Sequence, residues 1–286
     1  RVKDVIVAKM GNSLDVDIRV DGCGGKRNCI KNIIPAVNRM TGKKFTKRDM
    51  TCDIIHGGIC SIKLKEAPRY QTATGIARMN KSGAISGDNY SFIELKDGKF
   101  MIALSDGMGT GPKAAVESST TITLLEKFLY AGFDKDVAIK AINSMMLLKS
   151  NDETYSTVDM TVIDQYNGEV EFIKVGAVST FIKSEEGVKI IKTGTLPVGI
   201  LNKIDMELVK KKLKDGDFVV MVTDGVLDCN KEIVDKEKWL AELIMNVETR
   251  NPQRLAEEIL RICLQANGGE APDDMTVMTA KLWETM

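Results

Sequence analysis

Two hydrophobic periods alternate along this chain. Over 14–20, Leu14-Asp15-Val16-Asp17-Ile18-Arg19-Val20 sets apolar against charged side chains in strict alternation, the pattern of a strand with one buried face. An apolar-rich run at 2–8 precedes it. After Gly22, Gly24 and Gly25 the period lengthens. Ile30, Ile33, Ile34 and Val37 then share one helical face and predict a helix over about 27–40. Strands at 50–55 and 59–64 are expected to pair across His56-Gly57-Gly58. Pro68 and the polar residues after it mark an expected boundary between a small α+β segment, 1–68, and a second domain, 69–286.

From residue 72 strands come in runs, expected at 72–79, 90–95 and 100–104, the last two joined across the hairpin turn Asp97-Gly98. Pro112 opens a long helix carrying Val116, Ile122, Leu125, Phe128 and Leu129, and a second helix follows over about 135–148. Strands return at 157–164, 170–175, 180–183, 188–191 and 218–222. Two helices, about 236–248 and 252–266, precede a last strand at 275–282. Strand runs separated by helix pairs indicate an α+β fold of antiparallel sheets with helices outside, rather than alternating β-α-β units.

Composition narrows the class. The 286 residues are 43% hydrophobic and 28% charged, as in globular domains. No apolar run approaches the roughly 20 residues of a membrane helix. The chain begins with Arg1, and we read it as a cytoplasmic piece of a longer, membrane-anchored protein. Net charge is zero but uneven: residues 1–65 hold 14 Lys/Arg against 6 Asp/Glu, and seven basic residues lie between Arg27 and Arg48 with no acidic one. That run is either a solvated helix face or a docking surface for an acidic partner or anionic membrane. No aromatic residues interleave with it, which argues against nucleic acid. Four of the six cysteines come early, Cys23, Cys29, Cys52 and Cys60. Their C-x5-C and C-x7-C spacings differ from the usual zinc pairs. Reduced thiols, a metal site and a redox-sensitive pair all remain open.

The chemistry sits in four polar turns. Asp88 lies in Ser86-Gly87-Asp88-Asn89-Tyr90, Asp106 in Ser105-Asp106-Gly107-Met108-Gly109, Asp224 in Thr223-Asp224-Gly225-Val226, and Asp273 in Pro272-Asp273-Asp274-Met275-Thr276. One Asp-Gly turn is usually structural. Four such turns, most of them beside apolar strands, can gather carboxylates at one end of a sheet as an all-oxygen site for Mg²⁺ or Mn²⁺. Gly107 lets the chain turn sharply and can offer a carbonyl oxygen. Other candidates fail. Asp15-Val16-Asp17 belongs to the amphipathic strand, Gly107-x-Gly109-x-Gly111 lacks the adjacent Gly-Lys of a phosphate loop, and His56 is the only histidine.

In that order the four motifs resemble the PPM (PP2C-like) serine/threonine phosphatases, and most closely the bacterial branch that regulates sigma factors. Leu124-Leu125-Glu126-Lys127, Ala141-Ile142-Asn143-Ser144, Tyr155-Ser156-Thr157, Lys174-Val175-Gly176 and Leu196-Pro197-Val198-Gly199-Ile200 extend the likeness to a sporulation member. The resemblance covers residues 73–283 and, more weakly, the front segment. It implies an α-β-β-α sandwich with metal at one edge of the stacked sheets. Asp106 would bridge two Mn²⁺ or Mg²⁺ ions, with Gly107 bound to one through its carbonyl. Asp224 and Asp273 would complete the second ion's shell, and Asp88 would serve the first. Catalysis would proceed by direct attack of a metal-activated water on phosphorus. The implied substrate is a phosphoserine on an anti-anti-sigma factor, whose dephosphorylation activates a sporulation sigma factor. Arg78 is the one nearby arginine, but bacterial relatives often lack a phosphate-binding arginine, so it is given no such role. A homodimer and a switch formed by the helices at 112–148 are further expectations of this branch. The alternative is a catalytically idle scaffold of the same fold, docking partners at a membrane or division septum.

Overall fold

A computed structural model describes residues 1–52, 58–81, 85–109, 111–149, 155–192, 194–201 and 206–285. It divides into two compact units: Arg1–Tyr70 with Gln165–Asn167 and Thr285–Met286, and Gln71–Asp164 with Gly168–Glu284.

The first unit is a four-stranded antiparallel sheet in the order β1-β2-β4-β3, built from β1 (Val2–Met10), β2 (Ser13–Asp21), β3 (Phe45–Thr51) and β4 (Ile59–Glu66). Alternation in β2 and β4 turns Val16, Ile18, Val20, Cys60, Ile62 and Leu64 to one face. There they meet Val37 of α1 (Ile34–Thr41) and Phe45. One part of the expected helix departs from regularity, because Cys29–Ile33 winds as a π-turn before α1 begins. Strand β3 also starts and ends earlier than 50–55. Its sequence FTKRDMT buries only Phe45, so no apolar period reveals it. The turn through His56 lies outside the described residues.

The second unit stacks two five-stranded sheets. One runs β12-β9-β8-β7-β6, from β6 (Asp88–Leu95), β7 (Lys99–Asp106), β8 (Val158–Asp164), β9 (Glu169–Val175) and β12 (Glu207–Lys212), antiparallel throughout. The other runs β11-β10-β13-β14-β5, from β5 (Tyr70–Met79), β10 (Thr180–Ser184), β11 (Gly187–Ile191), β13 (Phe218–Val222) and β14 (Met275–Glu284). Helices α2 (Pro112–Ala131) and α3 (Lys135–Lys149) cover the first sheet, where Leu125, Ile139 and Ile142 pack on Met101, Met160 and Ile173. Helices α5 (Lys236–Asn246) and α6 (Pro252–Ala266) cover the second, packing Leu240, Leu255 and Ile259 on Val220, Val222 and Val277. Between the sheets Thr161 Oγ1 meets Met221 Sδ at 3.6 Å. The α-β-β-α sandwich is therefore realised. Among the described residues no helix is long and apolar enough to cross a membrane.

Candidate functional site

Strand pairing brings the first two aspartates together. In the β6–β7 ladder Asp88 stands directly opposite Asp106, so two carboxylates distant in sequence become neighbours at the sheet's edge. Beyond Asp106 the strand gives way to a turn that only glycine permits, because a Cβ at Gly107 would lie 2.1 Å from the Ala114 carbonyl oxygen in the first turn of α2. The Asp106 backbone is pinned on its other side. Its N–H donates to Thr157 Oγ1 at 2.9 Å, and its carbonyl accepts from Thr157 N–H at 2.9 Å.

The second sheet supplies the other pair. Strand β13 ends at Val222, Thr223 follows as the cap, and Asp224 begins the one-turn helix α4 (Asp224–Leu227). Gly225 packs against the turn before β14: a Cβ there would sit 2.2 Å from Asp274 O and 3.2 Å from Asp273 Cβ. This close approach is what sets Asp224 beside Asp273. Thr223 joins the two sheets, since its hydroxyl donates to Asp88 Oδ2 at 3.1 Å and accepts from Thr276 N–H at 2.9 Å. Thr276 Oγ1 donates to the same Asp88 oxygen at 2.6 Å.

The carboxylates crowd one another electrostatically. Burial, and then Asp88, Asp224 and Asp273, push the Asp106 carboxyl up to about 9. Asp88, only 1% exposed, is pushed up to about 6, mainly by burial; the Thr276 and Thr223 hydroxyls oppose the shift, while Asp274 and Asp224 add to it. Asp224 keeps an exposed edge at the mouth of the cleft, yet surrounding protein and the charge of Asp273 also raise it. A cavity of about 50 Å³ opens beside Asp106 and Asp224, with Asp159 and Gly176 in its wall.

The donor set fits a hard divalent cation. Its side-chain donors are carboxylate oxygens. Among the described residues, nothing donates a hydrogen bond to the buried Asp88 Oδ1. The charges of Asp88, Asp224 and Asp273 crowd the Asp106 carboxyl, and carboxylates so placed favour a proton or a cation among them. The cage is not closed as it stands. Among the described residues no three His, Cys, Asp or Glu side chains are drawn tightly around one point.

Asp274, whose role the motif left open, acts on the backbone. Its Oδ1 accepts from Lys81 N–H at 2.9 Å and its Oδ2 from Gly87 N–H at 2.7 Å, which fixes the approach to Asp88. Arg78 is engaged elsewhere: it donates to the Asp88 carbonyl at 2.7 Å and lies over the Tyr90 ring. Asp15 and Asp17 sit on β2 as expected, and Asp15 pairs with Arg48 at 3.0 Å. Lys43 of the basic run pairs with Glu66 at 2.8 Å. Reading the sequence missed a buried ion pair behind the cleft. Lys174, fully buried, donates to Asp159 Oδ2 and, at 2.7 Å, to Thr180 Oγ1. Burial lowers the Lys174 ammonium and the Asp159 charge opposes that. A charge inside each of two apolar runs, Val158-Asp159-Met160 and Ile173-Lys174-Val175, was the available signal.

The chain matches the family model described as Stage II sporulation protein E (SpoIIE) over residues 96–283. It is similar to stage II sporulation protein E of Priestia megaterium, 36% identical over 271 residues that make up 94% of this chain and 46% of that protein. Among solved structures it is similar to the PP2C phosphatase domain and a fragment of the regulatory domain of the cell fate determinant SpoIIE from Bacillus subtilis. The TM-score is 0.81 at 32% identity, covering 98% of this chain and 82% of that one. A more distant likeness, 22% identical over 200 residues covering 69% of this chain and 59% of the relative, is to phosphoserine phosphatase RsbU of Bacillus subtilis (strain 168). The chain thus spans less than half the length of the Priestia megaterium relative.

Proposed function

The chain belongs to the stage II sporulation protein E family, and we propose from that premise that it is a divalent-metal-dependent protein serine/threonine phosphatase. The observation that carries this reading is the gathering of Asp88, Asp106, Asp224 and Asp273 at one edge of the stacked sheets. In it Asp106, Asp88, Asp224 and Asp273, with the Gly107 carbonyl, would hold Mn²⁺ or Mg²⁺. Such ions, when bound, would supply an activated water for direct attack on phosphorus and positive charge for the phosphoryl oxygens.

The chain's own groups hold this arrangement. Thr223 and Thr276 occupy Asp88 Oδ2, and among the described residues none donates to Oδ1. Asp274 fixes the backbone at Lys81 and Gly87. Asp273 Oδ1 is steadied by the Asp274 N–H at 2.9 Å. The phosphoserine of an anti-anti-sigma factor is the proposed substrate, supported by the sporulation relatives and by the phosphoserine phosphatase likeness. Residues 69–286 form the phosphatase domain in this reading and residues 1–68 a regulatory or linking segment of a longer protein.

The test is Mn²⁺-dependent release of phosphate from a phosphoserine anti-anti-sigma protein, by wild type and by Asp106→Asn. Turnover by wild type alone is expected. Absence of turnover in a folded, metal-loaded chain supports the idle scaffold instead, and equal turnover in the variant removes the acidic cleft from the reaction.

A further inference from the structure

The first unit brings its four cysteines to one end. Strand β2 ends at Asp21, two residues before Cys23. Strand β3 ends at Thr51, next to Cys52, and Cys60 is the second residue of β4. Cys29 begins the π-turn ahead of α1. Antiparallel pairing puts the ends of β2 and β3 beside the start of β4. Val20 stands opposite Cys60 and Thr51 opposite Ser61, so the next rung sets Cys52 against Cys60. The Cys52 and Cys60 sulfurs are 3.5 Å apart. All four thiols are free, and all four line one cavity of about 220 Å³.

We propose that Cys23, Cys29, Cys52 and Cys60 are the four thiolate ligands of a structural metal centre of the zinc or iron–sulfur class. A four-sulfur set selects those metals over hard cations. The one close pair already has nearly the right spacing, since two thiolates on a tetrahedral zinc at about 2.3 Å stand roughly 3.8 Å apart. A Cys52–Cys60 disulfide would account for that pair but not for Cys23 and Cys29 in the same cavity. Cys23 is also prepared as a ligand. The backbone turns through positive φ at Gly24, Gly25 and Arg27 just after it, and the backbone of that turn holds its thiol below the usual cysteine range. The long intervals C-x5-C and C-x7-C suit a cage assembled from strand ends rather than from a single turn.

The unit has a physical need for such a staple. Every residue of β1 is exposed, so its core rests on three strands and a short helix. Domains of this size commonly add a disulfide or a metal to a core that small. The sulfurs line a cavity rather than meet at one point, and metal binding closes such a site as part of folding.

The 286-residue chain, carrying Asp106→Asn so that the acidic cleft does not compete, is purified without oxygen or chelator and analysed for metal and acid-labile sulfide. One zinc per chain, or iron with matching sulfide, is expected, and the ratio tells the two apart. Cys23→Ser and Cys60→Ser should each lower metal content at least about tenfold. A variant that fails to fold would lose metal trivially. The metal-free parent chain is therefore also titrated with Co²⁺, and its thiolate-to-cobalt charge-transfer intensity should correspond to four thiolates. A metal-free chain as isolated, metal that survives both cysteine changes, a cobalt spectrum of fewer than three thiolates, or a chain lighter by two hydrogens through a Cys52–Cys60 disulfide each overturns the proposal.

Discussion

Asp106 works against the fold that holds it. Its carboxyl is pushed up to about 9, while in the unfolded chain it ionises near 3.8. Between those values the folded state holds a proton that the unfolded state has released. Stability of the metal-free chain therefore falls as pH rises through that window. Asp88, pushed up to about 6, steepens the lower part of the slope. Asp106→Asn should raise metal-free stability at pH 8 by on the order of 2 kcal/mol, with the gain shrinking as pH falls toward 4. The same change should cost at least about 100-fold in Mn²⁺-dependent hydrolysis, because it removes a charged ligand. Melting curves of both proteins across pH in chelator check the first half; a wild type that gains stability as pH rises from 5 to 8 excludes it. A neighbouring test is Gly107→Ala. Its methyl would meet the Ala114 carbonyl at 2.1 Å, so about 1–3 kcal/mol of stability should be lost. The four candidate aspartates stand out in the sequence because each sits in a short polar turn, most of them beside an apolar strand. The tasks of Asp274, Thr223 and Thr276 were not, since their partners at Gly87 and Asp88 lie far away in sequence.

At the scale of elements, α2 is tied to the site at two points. Its first turn rests on Gly107 through Ala114, and Ser118 Oγ donates to the Gly87 carbonyl. Leu125, wholly buried among the residues of the first sheet, anchors the helix from below. Leu125→Ala should cost about 2–5 kcal/mol. If α2 also sets how Asp106 and Gly107 meet metal, the Mn²⁺ concentration for half-activation should rise by about fivefold or more, measured where both proteins are folded. A lower melting temperature with an unchanged Mn²⁺ midpoint would mean that α2 only covers the sheet. The elements with strong periods, β2, β7, β13 and α6, followed the hydrophobic pattern closely. Strand β12 did not show itself, because Glu-Leu-Val-Lys-Lys-Lys is a charged, exposed edge that pairs with β9. Such edges are built to resist further pairing, and their lysines hide the strand from any search for alternation.

For the whole molecule, the question is which part carries the chemistry. All of Asp88, Asp106, Gly107, Asp224 and Asp273 come from the second unit, as do both helix-covered sheets. The first unit contributes its own apolar cluster, from Val16 to Leu64, and the excess of basic residues in 1–65. A chain of residues 69–286 therefore carries both sheets' cores and all the candidate ligands. It should fold alone and keep kcat/KM on a small phosphate ester within about threefold of the 286-residue chain, because a small substrate needs only the cleft. A phosphoprotein substrate separates the alternatives further. If residues 1–68 only support or regulate, the shorter chain should act on it at a comparable rate. If the basic run docks an acidic surface of the partner, its KM should rise and the salt dependence of the reaction should weaken, with kcat preserved. Loss of hydrolysis of the small ester by a folded 69–286 chain would show instead that the phosphatase is incomplete without the first unit.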